Sequence, residues 1–135
     1  MRQLVDAAGL QQQIEIDSAG TSAYHIGSPP DARSQVAAKR RGYDLAAQRA
    51  RQVSDDDFEH FDLLLAMDKD NLNQLQRRCP MHLRSKLRLM MHYAEHAQAD
   101  EVPDPYSEGA AGFELVLDYL EDACNGLLRQ LRAAE

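Results

Sequence analysis

The stretch Leu63-Leu64-Leu65-Ala66-Met67-Asp68 decides the fold, because a short apolar run is followed at once by a residue that begins helices. An uninterrupted apolar run of this length is typical of a strand buried on both faces, as in a parallel sheet covered by helices. Asp68 is placed to cap a helix that extends to about Arg77. The stretch therefore predicts one strand-to-helix step of an α/β protein.

Alternating strand and helix patterns continue from this step in both directions. On the N-terminal side, Ile14–Ile16 alternates as a strand, and helices are predicted to begin at Asp31 and Ser54. On the C-terminal side, Leu87–Met91 is a further strand candidate, and a long amphipathic helix follows. The apolar face of that helix comprises Phe113, Val116, Leu117, Leu120, Cys124, Leu127, Leu128 and Leu131. The order of elements predicts an α/β fold with a doubly wound parallel sheet flanked by helices.

Composition narrows the class of protein. The chain has 135 residues, of which 44% are hydrophobic, and this predicts a single domain over residues 1–135. A net charge of −7 argues against binding to nucleic acid, which needs a basic face. No apolar run is long enough to span a bilayer, so no membrane association is expected. Two cysteines without disulfide-type spacing predict a reducing, cytoplasmic location.

Two short motifs carry chemistry. In Val102-Pro103-Asp104-Pro105-Tyr106 an acid stands between two prolines, which restrict the backbone on either side of it. An acid positioned in this way suits general acid catalysis. The tripeptide Pro103-Asp104-Pro105 taken alone also fits an ordinary Asp-Pro turn. The second motif, Ile16-Asp17-Ser18-Ala19-Gly20-Thr21, ends a predicted strand in a turn of small residues.

Together these motifs resemble the low-molecular-weight protein tyrosine phosphatases. The resemblance extends from Arg2 to Leu128, and its specificity lies in the order and spacing of many short pieces. Besides the two motifs, these pieces are Gly27-Ser28-Pro29, Asp31-Ala32-Arg33, Arg49-Ala50-Arg51-Gln52-Val53, Asp57-Phe58, Phe61-Asp62, Met67-Asp68 and Asn71-Leu72.

The resemblance implies hydrolysis of phosphotyrosine through a phosphocysteine intermediate, without a cofactor. Asp104 would protonate the departing phenolate and then accept a proton from water. Tyr106 would form one wall of an aromatic slot for the substrate ring, and Tyr24 would form the other. For Tyr24 alone, an ordinary loop aromatic is an equally good interpretation.

The nucleophile of that family, a Cys followed after five residues by Arg, has no match in residues 1–135. The sixth position after Cys79 is Ser85, and the sixth after Cys124 is Gln130. Cys124 lies on the apolar face of the last helix, which predicts a buried, inert thiol. The only histidines with ligand-pair spacing, His92 and His96, lie in a polar segment, so no metal site is predicted.

Members of the family begin with a buried strand and the cysteine loop, followed by a helix whose end matches Arg2–Leu10. The resemblance therefore implies that this chain is N-terminally truncated and lacks the central first strand of its sheet. That strand would lie between Ile14–Ile16 and Leu63–Ala66. Three possibilities are open: the sheet closes up, a second chain fills the position, or the native protein is longer.

The sequence thus favours a protein tyrosine phosphatase whose 135 residues are inactive by themselves. The alternative is a non-catalytic phosphatase-like module that binds partners. An arsenate reductase is less favoured, because the Asp-Pro-Tyr element suits aryl phosphates and the cysteines are misplaced. The implied partner is a phosphotyrosine protein, which in bacterial relatives is often a tyrosine kinase of polysaccharide export.

Overall fold

The computed structural model describes residues 1–21, 26–104 and 109–133. It has five α-helices, two short strands and two 3-10 helices within these residues. In chain order the elements are α1 (Arg2–Ala7), α2 (Ala32–Arg40), α3 (Asp55–His60), β1 (Leu64–Ala66), α4 (Lys69–Arg78), a first 3-10 helix (Met81–Lys86), β2 (Leu87–Leu89), a second 3-10 helix (Met90–Tyr93) and α5 (Gly109–Ala133).

The predicted strand-to-helix step is confirmed. β1 pairs in parallel with β2, with Leu64 opposite Leu87. Asp68 caps α4, and its carboxylate accepts a hydrogen bond from the backbone N–H of Asn71 at 2.7 Å. The local signals in this part of the sequence therefore predicted both the strand and the start of the helix.

Within the described residues the sheet is smaller than predicted, and its two strands do not form the doubly wound arrangement. The structure is α/β with a two-stranded parallel sheet, to which the described residues add one isolated parallel bridge, Gly20 to Gln52. The strand predicted at Ile14–Ile16 is wrong: its side chains alternate between half-buried and exposed, but the segment joins no ladder. The carbonyl of Ile16 instead accepts from the Arg2 guanidinium at 2.9 Å. Alternation predicts burial of one face and says nothing of a hydrogen-bonding neighbour.

The prediction that β1 is buried on both faces is also only partly correct. Ala66 is buried, whereas Leu64 and Leu65 are half-buried, as is Leu63 just before them. Met67, just after β1, exposes 40% of its surface. Both faces of β1 are therefore only partly covered by the described residues.

Two apolar clusters hold the elements together. The first joins α5 to the second 3-10 helix and the loop that follows it, and the second surrounds the sheet, α3 and α4. The buried members of the first are Met90, Met91, Tyr93, Val102, Ala123, Cys124 and Leu127; those of the second are Val53, Phe58, Ala66, Leu75, Cys79 and Leu87.

An arginine joins α2 to α5. The Arg41 guanidinium, which follows α2, contacts Glu114 at 2.6 Å, Asp118 at 2.9 Å and Glu121 at 2.9 Å. The hydrogen bonds that Arg41 donates to Glu121 and Glu114 hold the pKa of Arg41 above its ordinary value. The carboxylates lie on successive turns of α5, so one cation fixes the packing of the two helices.

The long helix α5 touches the second 3-10 helix without a side chain between them. A Cβ atom built on Gly126 would overlap the carbonyl oxygen of Tyr93. Only glycine allows so close an approach of the two backbones.

No helix in the described part of the chain is long and apolar enough to cross a membrane.

Candidate active site

The loop that carries Asp104 leaves the second 3-10 helix beside α5 and is fixed there by one carboxylate. The side chain of Asp122 accepts hydrogen bonds from three consecutive backbone N–H groups, those of Glu95 (3.0 Å), His96 (3.0 Å) and Ala97 (2.7 Å). Charge-assisted bonds of this kind are stronger than neutral ones. The beginning of the loop is therefore bound to α5 through its backbone.

A second anchor lies closer to Asp104, at the turn between β1 and α4. The backbone N–H of Val102 donates to the carbonyl of Met67 at 2.8 Å, and the side chain of Val102 is buried in the first cluster. The carboxylate of Glu101 accepts from the backbone N–H of Lys69 at 2.8 Å. The loop, residues 94–104, which we call the acid loop, is thus fixed at both its start and its end.

Asp104 lies at the end of the acid loop as an exposed residue, after the half-buried Pro103. An exposed carboxylate on an anchored backbone can exchange a proton with a substrate or with water. Tyr106, predicted to form one wall of the substrate slot, lies outside the described residues.

The small-residue motif is held by a buried carboxylate and an arginine. The Arg51 guanidinium donates to both carboxylate oxygens of Asp57 at 2.9 Å and also contacts Asp17 at 3.2 Å. The bond from Arg51 holds the pKa of Asp57 below its ordinary value. Asp57 also completes the capping box of α3 with Ser54. One network therefore joins Asp17, in the small-residue motif, to the start of α3.

The segment 50–53 holds both ends of the loop that contains Tyr24. Gly20 exchanges backbone hydrogen bonds with Arg51 and Val53, each at 2.8 Å. The N–H of Gly27 donates to the carbonyl of Ala50 at 2.7 Å. Tyr24 itself lies outside the described residues, but the two glycines that flank its loop are bound to the same segment.

The two cysteines are buried, in different clusters. Burial raises the pKa of the Cys79 thiol and that of the Cys124 thiol above their ordinary values. A reactive cysteine needs the opposite shift, because the thiolate is the nucleophile. The described environments of these thiols therefore do not suit nucleophilic catalysis. Across the described ranges, no three His, Cys, Asp or Glu side chains are grouped so that they could hold a metal ion.

A cavity of about 400 Å³ borders the end of the acid loop. Its walls include both the loop and α5, and they carry charges of both signs. The lining residues are Lys69, Ala99, Asp100, Glu101, Pro103, Leu115 and Tyr119. The acid loop is therefore fixed at its two anchors and is not packed along its whole length.

The anchoring residues Glu101 and Asp122 were not predicted from the sequence. A carboxylate that accepts from the backbone of a distant segment leaves no local pattern. The sequence did carry one related signal. Gly126 stands inside a helical pattern, and such a glycine often marks a close approach of two backbones.

Comparison with known proteins identifies the family. The sequence matches the family described as low molecular weight phosphotyrosine protein phosphatase over residues 1–135. It is 47% identical to a protein of Synechocystis sp. whose name assigns it provisionally to the low molecular weight protein-tyrosine-phosphatases, over 97% of this chain and 83% of that one. It is 34% identical to the low molecular weight protein-tyrosine-phosphatase YfkJ of Bacillus subtilis, over 97% of this chain and 83% of YfkJ.

Solved structures agree in fold. The protein tyrosine phosphatase of Entamoeba histolytica superposes with a TM-score of 0.95 at 38% identity, covering 98% of this chain and 85% of that one. The crystal structure of YfkJ superposes with a TM-score of 0.91, covering 99% of this chain and 83% of YfkJ. The chain belongs to the low-molecular-weight phosphotyrosine protein phosphatase family.

Proposed function

We propose that this chain forms a single domain that supplies the general acid and the substrate slot of a protein tyrosine phosphatase, and that the nucleophile comes from outside residues 1–135. The family match over all 135 residues is the observation that carries this proposal. The anchored loop that ends in Asp104 supports it, because a general acid must be held in one place.

The proposed reaction has two steps. A cysteine thiolate attacks phosphorus, the bond from phosphorus to the phenolic oxygen breaks, and Asp104 gives its proton to that oxygen. Asp104 then takes a proton from water, whose oxygen attacks phosphorus, and the bond from sulfur to phosphorus breaks to release phosphate and thiolate. Tyr106 and Tyr24 flank the substrate ring and favour aryl over alkyl phosphates.

A nucleophile from outside residues 1–135 is proposed because neither thiol of this chain suits that role. Neither Cys79 nor Cys124 has an Arg at the sixth position after it, and burial raises the pKa of both. A phosphocysteine mechanism also needs a ring of amide N–H groups at a helix start to hold the phosphate. The half-buried Leu64 and Leu65 support the position of a further strand beside β1, contributed by a longer chain or by a second one.

The test compares two proteins. Residues 1–135 by themselves are expected to show no measurable hydrolysis of p-nitrophenyl phosphate, because general acid help alone contributes about 10²–10⁴-fold. A version extended upstream with the strand and cysteine loop of a relative is expected to be active, and Asp104→Asn should slow it strongly with phosphate inhibition unchanged. Measurable hydrolysis by purified residues 1–135 would contradict the proposal, whether or not it survives thiol alkylation, and its loss on alkylation would place the nucleophile in this chain.

A non-catalytic binding module is the second candidate, and the buried, unactivated thiols favour it. In that case residues 1–135 bind a phosphotyrosine peptide without hydrolysing it, and the Asp104→Asn change has no kinetic consequence. The two candidates differ in the extended version, which hydrolyses p-nitrophenyl phosphate only if the phosphatase proposal is correct. Isothermal titration of residues 1–135 with such a peptide tests the binding itself. Arsenate reduction is less favoured, because it also requires resolving cysteines and both cysteines of this chain are buried.

The proposed partner is a phosphotyrosine protein of the cytoplasm, such as a bacterial tyrosine kinase. The two free, buried cysteines suit a reducing compartment. Dephosphorylation of a purified autophosphorylated kinase by the active, extended version would test this assignment.

A further inference from the structure

We infer that Glu101 is a positioning residue for Asp104: its carboxylate ties the acid loop to the first turn of α4. This inference rests on the proposed function, since it assigns to Glu101 an effect on proton transfer by Asp104. It concerns a residue that takes no part in the proposed chemistry.

The contact is made where a helix has an unsatisfied donor. Lys69 is the first residue of α4, and its backbone N–H donates to Glu101 at 2.8 Å. The first N–H groups of a helix have no partner within the helix. The Asp68 carboxylate accepts a hydrogen bond from the N–H of Asn71, and the Glu101 carboxylate accepts one from the N–H of Lys69. A carboxylate at this end of a helix is also favoured by the helix dipole.

The neighbouring residue strengthens the same attachment. Val102 donates its N–H to the carbonyl of Met67 at 2.8 Å and buries its side chain. Consecutive residues of the loop therefore bind the two sides of the turn that contains Asp68. One anchor fixes the backbone through Val102, and the other fixes it through the side chain of Glu101.

Little conformational freedom separates this attachment from Asp104. Two residues span at most about 7 Å of chain, so the Cα of Asp104 stays within that distance of the Cα of Val102. Pro103 fixes its own φ, and the proline that follows Asp104 restricts the backbone of Asp104. Once the loss of the Glu101 contact shifts Val102, that shift is therefore transmitted to Asp104.

Asp100 provides a matched control. Its carboxylate lies 3.7 Å from the Lys69 ammonium, and both side chains are mostly exposed. An exposed pair of this kind contributes little. Asp100 and Glu101 thus differ in one respect that matters here, because Glu101 binds the backbone of α4.

The first measurement needs no activity. Hydrogen exchange of residues 1–135 is followed by NMR in Glu101→Ala and Asp100→Ala. Glu101→Ala is expected to speed exchange of the Lys69 amide about tenfold, because that amide loses a charge-assisted bond. Glu101→Gln, which keeps an acceptor oxygen, restores part of the protection. Equal exchange in the Ala variants of residues 100 and 101 would overturn the inference.

The second measurement uses the active, extended version described above, with phenyl phosphate and p-nitrophenyl phosphate. Phenolate is the poorer leaving group and depends more on the acid. Glu101→Ala is therefore expected to lower kcat/KM, which reports the step in which phenolate leaves, about tenfold for phenyl phosphate and less for p-nitrophenyl phosphate. Inhibition by phosphate should stay unchanged, and Asp100→Ala should have no effect. A merely structural role would weaken phosphate inhibition or lower kcat/KM equally for both substrates, and either result would overturn the inference.

The outcomes separate the inference from the proposed function. If Asp104→Asn slows the reaction and Glu101→Ala does not, the positioning role is wrong and the proposed function stands. If Asp104→Asn leaves the rate unchanged, the proposed function fails at its acid, and the positioning role fails with it. Thermal unfolding of each variant identifies any that have lost their fold.

Discussion

Gly126 of α5 lies against the carbonyl oxygen of Tyr93, so closely that a Cβ atom at position 126 would overlap that oxygen. Tyr93 is the last residue of the second 3-10 helix, and the acid loop begins at the next residue. The backbone contact between the two residues therefore sets the distance from α5 to the start of the acid loop.

Gly126→Ala is expected to destabilise the protein although alanine is the better helix former. The added methyl group must push the two backbones apart, and overpacking of this kind costs about 1–3 kcal/mol. The measurement is the free energy of unfolding in urea. Gln130→Ala, at an exposed position of the same helix, is the control and should be close to neutral. A stabilised Gly126→Ala variant would show that the two backbones are not in contact.

Asp122→Ala removes the acceptor of three backbone N–H groups at the start of the acid loop. Water can replace part of these bonds, so the expected loss is about 1–2 kcal/mol. Hydrogen exchange should quicken at residues 95–97 before it changes elsewhere. The control is Glu95→Ala, which removes an exposed pair with Arg129 and should cost little. Unchanged exchange at residues 95–97 would refute the first anchor.

Arg51→Met is expected to change how stability depends on pH. Because Arg51 lowers the pKa of Asp57 in the folded protein, the ionised carboxylate stabilises the fold above the ordinary Asp value of 3.8. That stabilisation is lost as pH falls below this value and through the lowered pKa.

In urea titrations from pH 7 to pH 2, Arg51→Met should therefore lose about 1.5–3 kcal/mol at neutral pH and show less further loss in acid. Arg49→Met is the control, since the Arg49 guanidinium donates to backbone carbonyls of residues 46 and 48. Parallel pH curves for the wild type and Arg51→Met would contradict the described pair.

Arg41→Met is expected to loosen the packing of α2 on α5. The substitution leaves Glu114 and Glu121 without their shared cation, and mutual repulsion adds to the lost contacts. A loss of about 1–2 kcal/mol is expected, and it should shrink at high salt because part of each carboxylate is exposed. Arg40→Met, at the exposed neighbouring position, is the control. A loss that is independent of salt would point to packing of the side-chain stem instead.

Neither thiol should react readily in the folded protein. Burial raises the pKa of Cys79 and Cys124, so both are protonated and shielded at neutral pH. Labelling with 5,5′-dithiobis(2-nitrobenzoic acid) should be slow in native buffer and complete in urea. Rapid labelling of either thiol in the native state would contradict its described environment.

The sequence predicted those features that depend on neighbours along the chain. Asp31 and Asp68 cap their helices as expected, because a cap binds N–H groups only two or three residues away. The strand at β1 was predicted from its apolar run. Ile14–Ile16 was wrongly predicted as a strand, because an alternating pattern indicates burial of one face and does not indicate a hydrogen-bonding partner.

The sequence pointed to Asp104 as a candidate and did not point to the residues that hold its loop. Asp104 was found through its prolines and through the family motif, and its role stays a prediction. Glu101 and Asp122 were not predicted as anchoring residues, because each binds backbone N–H groups that are distant in sequence. The sequence alone does not distinguish such an acid from other acids in a polar stretch.

The anchoring of the acid loop by Asp122 has a consequence for how natural variants of this protein should be interpreted. A substitution of Asp122 does not touch Asp104, yet it releases the start of the loop that carries Asp104. If Asp104 has its proposed role, changes that lower activity are therefore also expected in the second half of α5, at a distance from Asp104 itself.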